Sequence, residues 1–202
     1  MRLSLPKLFA LLVAGSLCGC RSPQPTAAML EVAAPATSAK RPVDLMTRNN
    51  SVALLDELLN EEKDVSLILI IKVTSPELKQ LVKNISQTAS KGAKLLASEK
   101  KKDPGLELKG NGLPPGEKAA RAGLSKTKEH ELLSAKGAEF ELQLLLTQAE
   151  ALGYGAQLAL DAAVNDPQPV RARQLASLSS QLKLLHEQVI AMLRTRPPGV
   201  EK

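Results

Sequence analysis

Leu175, Leu178, Leu182, Leu185, Val189 and Met192 recur at alternating steps of three and four. Only an α-helix brings residues so spaced onto one face. Three other stretches carry the same signature. One has Leu55, Leu59, Glu62, Ser66, Leu69 and Val73, and a second has Leu78, Leu81, Ile85, Ala89, Gly92 and Leu96. The third has Ala138, Leu142, Leu145, Ala149, Leu152, Ala156, Ala159 and Ala163. Four stripes of this kind leave a chain little choice but to pack helix on helix. Composition agrees, since aromatic residues are 1% of the chain, Trp is absent, and Leu and Ala dominate. The expectation is an all-α domain over residues 51–194, with helices near 51–73, 76–99, 136–164 and 168–194.

The punctuation between stripes sets the connectivity. Ser51 is placed to cap the first helix. Ser75-Pro76-Glu77 reads as a helix start, with a capping hydroxyl, proline at the first position and an acid in the first turn. Asp166-Pro167 reads the same way, and Asp103-Pro104-Gly105 reads as a stop after Lys100-Lys101-Lys102. Short links make the first and second helices, and the third and fourth, antiparallel hairpins. Between the hairpins lies a crossover over 100–135, rich in Gly, Pro and Lys, with room for a short helix over Glu117–Leu124. Two αα-hairpins joined by one long crossover are the layout of a ferritin-like four-helix bundle. Gly153 and Gly155 fall inside the third helix, at a cost of about 1 kcal/mol each relative to Ala. They imply a bend or the close passage of another backbone. Pro197-Pro198-Gly199 ends the order, leaving 195–202 as a tail.

The N-terminus specifies location. Arg2 and Lys7 precede the apolar run Leu8–Ala14, followed by Gly15 and Ser16. The run is too short to span a membrane, which takes about 20 apolar residues, and it has the form of an export signal over 1–19. Leu17-Cys18-Gly19-Cys20 then resembles a bacterial lipobox. An ordinary secretory signal cut near Gly19 is the plainer reading. The lipobox reading adds lipid, palmitate included, on Cys20. A multiply acylated cysteine holds a protein stably where a single chain does not. Arg21, rather than Asp, follows the cysteine, and in a two-membrane cell that leans toward the outer membrane, facing the periplasm. Residues 20–50 contain Pro23, Pro25, Pro35 and Pro42 among Ala, Ser and Thr, without an apolar period. They read as a disordered tether with an r.m.s. span of about 30 Å.

The same residues exclude chemistries. The chain has two cysteines; Cys18 leaves with the signal and Cys20 carries lipid, so no thiol remains for catalysis, disulfide or metal. Gly110-Asn111-Gly112 lacks the Lys-Ser/Thr of a phosphate loop. Two histidines, His130 and His186, are too few for a credible hydrolase triad among many serines. The net charge of +6 could suit nucleic acid, but export and the scarcity of stacking rings argue against it. An anionic membrane surface is the simpler attraction.

Two segments carry a resemblance. Thr74-Ser75-Pro76-Glu77-Leu78 resembles the turn before the second helix of a bacterial exported ferritin-like family catalogued as a domain of unknown function. Gly137-Ala138-Glu139-Phe140-Glu141 resembles its Gly-Ala-x-Phe-Asp start to the third helix. The resemblance covers about 51–193. It implies an acid in the first helix, at Glu62, and an Asp-His pair in each of the second and third helices. Those places hold Thr88-Ala89 and Ala151-Leu152 here, so the pairs are gone. A histidine of the family's fourth helix corresponds to His186.

Glu62 and His186 are therefore the two metal candidates. A di-iron bundle takes two Glu-x-x-His motifs and two further acids. Thr127 and Lys183 stand three residues before His130 and His186, so neither motif exists. Glu61-Glu62-Lys63-Asp64 is an ordinary charged helix face in composition, yet the period turns Glu62 inward; the plainer reading is a tilted stripe that lets the carboxylate reach solvent or a polar partner. The sequence thus predicts a non-catalytic cell-envelope lipoprotein. It would be held to the membrane through Cys20, take no cofactor, and contact a protein partner or its own copies through the small-residue faces of the second and third helices. A ferritin-like metal-binding or redox protein is the alternative.

Overall fold

Asp44 starts the first helix. Its Oδ1 accepts the backbone N–H of Met46 at 3.0 Å and of Thr47 at 3.1 Å, which satisfies two of the donors that a helix start leaves open. The computed structural model describes residues 43–110 and 112–195. The expected signal, Cys20, the tether before 43 and the tail after 195 lie outside the described residues. Helix α1 spans Leu45–Glu62, so residues 45–50 are helical where a tether was expected, and Ser51 is buried within the helix rather than capping it.

The first helix was expected to reach 73 and stops at Glu62. Val65–Leu67 forms a 3₁₀ turn, Ile68–Ile71 one α-helical turn (α2), and Lys72 is extended. The run from Ile68 to Val73 is rich in β-branched side chains, which lose χ1 freedom in a helix. The Ser86 hydroxyl donates to the carbonyl of Lys63 and also accepts from the Ser66 hydroxyl at 3.2 Å. A carbonyl freed at the end of α1 is thereby satisfied by a side chain of the next long helix. Val73, expected inside, is 94% exposed.

Helix α3 runs Pro76–Lys102 with Pro76 in its first turn. All six residues of its expected stripe are buried. The Ser75 hydroxyl makes no cap; instead the Ser75 N–H donates to Glu141 Oε1 at 2.6 Å. The crossover is more ordered than expected, because helix α4 occupies Pro115–Ser134. It opens on proline with Glu117 in its first turn, and Lys72 Nζ donates to the carbonyls of Leu133 and Ala135 where it ends. At about 1.5 Å per residue α4 travels roughly 30 Å; it packs on the helix that follows it and returns the chain so that this next helix starts beside the start of α3. Leu132 and Leu106 anchor the crossover in the core, and Lys128 pairs with Glu150.

Helix α5 covers Gly137–Val164 and α6 covers Pro169–Arg194. Asp166 does not begin α6 directly. Its Oδ1 accepts the Gln168 N–H at 2.8 Å, and the helix starts at Pro169. The buried face of α5 is turned from the expected stripe. Ala138 and Leu142 are exposed, whereas Phe140, Leu144, Gln148 and Leu158 are buried with Leu145 and Leu152.

The result is an all-α helical bundle in which α1 packs on α3 and α5, and α6 packs on α3 and α5. Side-chain pairings give the directions. Lys63 and Leu59 of α1 and its end meet Ser86 and Gly92 of α3, so sequence numbers rise in one helix as they fall in the other. The same holds for α5 against α6, where Gly153 faces His186 and Gly155 faces Leu182. The two buried glycines explain the close approach. A Cβ on Gly92 would lie 2.9 Å from Leu59 Cδ1, and one on Gly155 would lie 2.7 Å from Leu58 Cδ2. Leucine side chains, not a passing backbone, occupy the space. The small-residue faces expected to meet an external partner are thus filled from within the chain.

Candidate functional site

The interior of the bundle holds one buried carboxylate of special interest. Glu62, the last residue of α1, is 3% exposed, and Gln148 of α5 is fully buried. Neither Glu62 oxygen has a hydrogen-bond partner, nor has either polar atom of the Gln148 amide. Burial pushes the Glu62 carboxyl up to about 8; the nearby Gln148 amide opposes that rise and the Glu61 charge adds to it. Gln148 is therefore close enough to favour the carboxylate, although no hydrogen bond closes between them. At neutral pH Glu62 is mostly a neutral acid, which is the cheaper form to bury.

His186, the other metal candidate, is half-buried against α5, with its ring 3.5–3.6 Å from where a Gly153 Cβ would stand. His130 is exposed on α4. Among the described residues, no group of three or more His, Cys, Asp or Glu side chains is placed to hold a metal ion. Glu62 with Gln148 offers one carboxylate and one amide oxygen, and that donor set does not fit a di-iron centre, which takes four carboxylates and two imidazoles. Cys20 lies outside the described residues.

A second location was not anticipated. Where α3 and α5 begin and α6 ends, a groove of about 900 Å³ opens along Ala138, Leu142, Ala191 and Met192. Its margins carry Glu77, Glu139 and Glu141. A depression of about 490 Å³ adjoins it across Glu77, Gln188 and Met192 and reaches Gln80, Leu81 and Asn84. Ile70, Ile71 and Val73, in the connection leading to Ser75, are 77%, 58% and 94% exposed. This end of the bundle is apolar and open.

The opposite end is closed by charge. Arg171 in the first turn of α6 is 2% exposed and donates to both carboxylate oxygens of Asp166 and, at 2.9 Å, to Asp103 at the end of α3. The Arg171 guanidinium holds Asp103 below the usual carboxylate range. Arg48 of α1 donates to the Gly105 carbonyl at 3.0 Å. These groups join α1, α3 and α6 where the chain enters the bundle.

The sequence held a signal for Gln148, which sits three residues after Leu145 and four before Leu152, on the same face. The groove left no such signal, because it is made by the ends of helices far apart in the chain. Among the described residues, no helix is long and apolar enough to cross a membrane. Compared with known proteins, the chain matches no family model, no curated protein and no solved structure.

Proposed function

We propose that this chain is a non-catalytic lipoprotein of the bacterial cell envelope, anchored through acylated Cys20, whose ferritin-like four-helix bundle serves as a binding module. The observation that carries the binding role is the open apolar groove at the ends of α3, α5 and α6. Its volume is within the range of ligand-binding clefts, and its floor is apolar with a few polar groups at the margin. The antiparallel order of α1, α3, α5 and α6 and the long return through α4 support the ferritin-like layout. The apolar start and Leu17-Cys18-Gly19-Cys20 support the anchor and an outer-membrane, periplasm-facing location.

The test of anchoring is Cys20→Ser in the full chain. Acylation should disappear, and the protein should move from the membrane fraction to the soluble one. Continued palmitate labelling and detergent partitioning in that variant would refute the lipobox reading.

One observation favours a second reading, a metal-binding or redox bundle: the buried Glu62 carboxyl without a hydrogen-bond partner. Two potential ligands against the six of a di-iron site make it the weaker of the two.

A further inference from the structure

We infer that the end groove docks a basic amphipathic helix of a partner polypeptide, its apolar face on Leu142, Ala191 and Met192 and its Lys or Arg side chains on Glu77 and Glu139. The inference rests on the reading of this chain as a binding module and supplies the chemistry of the partner. The groove lies between the start of α5 and the end of α6 and is continued by the depression beside α3, so it suits an elongated object laid across helix ends. Leu142 is 42% exposed there, an apolar side chain that a partner's apolar face would cover.

Charge decides which partner. The chain as a whole carries +6, yet three carboxylates line this groove, and among the described residues that line it or the adjoining depression none is Lys or Arg. Lys79 and Lys136 are exposed nearby in sequence but line neither. The bland account is that Glu77 and Glu139 complement the starts of α3 and α5, in whose first turns they stand. A helix start carries about +0.5 charge. Two starts leave about two negative charges of the three uncompensated, and Arg194, exposed in the last turn of α6, offsets the end of that helix without lining the groove. Glu141 accepts from the Ser75 N–H and Glu139 from the Gln143 amide at 3.2 Å; both donors are neutral and leave the charges in place, and Glu77 and Glu139 are the two exposed carboxylates that a ligand would meet. Such a rim repels an anionic lipid headgroup and a fatty-acid carboxylate, although the floor alone would accept an acyl chain. A cationic, apolar-faced helix satisfies both the floor and the rim.

The full chain, held on phosphatidylcholine nanodiscs with empty discs subtracted, tests this. The probe is a synthetic helix of about 18 residues built from Leu and Lys with one apolar face, compared with its Leu/Glu counterpart. Retention on the discs reads the Cys20 anchor and peptide binding reads the groove, so the two readings fail separately. The Lys peptide should bind at least tenfold more tightly than the Glu peptide, and the preference should weaken in rising salt. Glu77→Lys/Glu139→Lys should reverse the preference, and the milder Glu77→Gln/Glu139→Gln should abolish it; both leave exposed positions and helical circular dichroism intact. Leu142→Asp should weaken Lys-peptide binding about tenfold. Equal binding of the two peptides, or a preference unchanged in both double variants, overturns the inference. So does self-association of the chain that the double variants abolish, or binding of phosphatidylglycerol vesicles through the same residues, since each assigns the groove to another occupant.

Discussion

Arg171 is the residue on which one end of the bundle depends. Its guanidinium and the Asp166 carboxylate are both removed from water. The attraction in such a site barely exceeds the cost of desolvation, but removal of one partner strands the other. Arg171→Ala should therefore destabilise the full chain by about 3–5 kcal/mol in urea unfolding; a loss below about 0.5 kcal/mol would show that the cluster is not buried in solution. Glu62 makes the opposite prediction, because it has no partner to lose. The folded protein holds its proton up to about 8, whereas an unfolded glutamate releases it near 4.5. Between these values the folded state binds more protons than the unfolded state, so stability falls as pH rises from about 4.5 to about 8. Glu62→Gln should remove that fall and be neutral or mildly stabilising at pH 7, as urea midpoints across the range would show. An identical pH dependence in the variant would place the Glu62 carboxyl in solvent. The three-four period turned Glu62 inward, but the plainer reading, a carboxylate reaching solvent or a polar partner, does not hold: Glu62 is buried and its oxygens have no hydrogen-bond partner. The Arg171 cluster was not, because Asp103 and Asp166 each read locally as a helix boundary, and only the meeting of distant helix ends makes them partners.

At the scale of the helix, legibility followed the purity of the pattern. The α3 and α6 stripes alternate leucine or isoleucine with clearly polar faces, and their buried sides were readable. Helix α5 has apolar residues on most sides, so several three-four stripes fit it, and Leu142 and Ala138 fell on the wrong one. The end of α1 was hidden by apolar residues that continue the period through Val73 although their β-branches disfavour the helix. Most of α4 was hidden because it buries so little: Ser125 and Leu132 are the buried residues of its span. The glycines of α5 separate helix propensity from packing. A Cβ at Gly153 would make an ordinary contact with His186, whereas one at Gly155 would press on Leu58 at 2.7 Å. Gly153→Ala should raise stability by up to about 1 kcal/mol. Gly155→Ala should be less stable than Gly153→Ala, because overpacking a core costs about 1–3 kcal/mol. Equal melting temperatures for the two variants would mean that Gly155 does not face α1 as described.

For the whole molecule, the two ends of the bundle differ in kind. The end where the chain enters is fastened by Arg171, Asp103, Asp166 and Arg48, and the far end offers an apolar groove with carboxylates at its margin. Between them the core is leucine, isoleucine, valine and alanine with Phe140, interrupted at Glu62 and Gln148. On the proposed reading, the molecule works through the surface at its far end. The direct measurement is elemental analysis of the full chain, grown in metal-rich medium and purified by gel filtration. The account predicts no stoichiometric iron, manganese or zinc. One metal ion retained per chain, and lost in Glu62→Gln, would contradict it and make the buried acid a ligand.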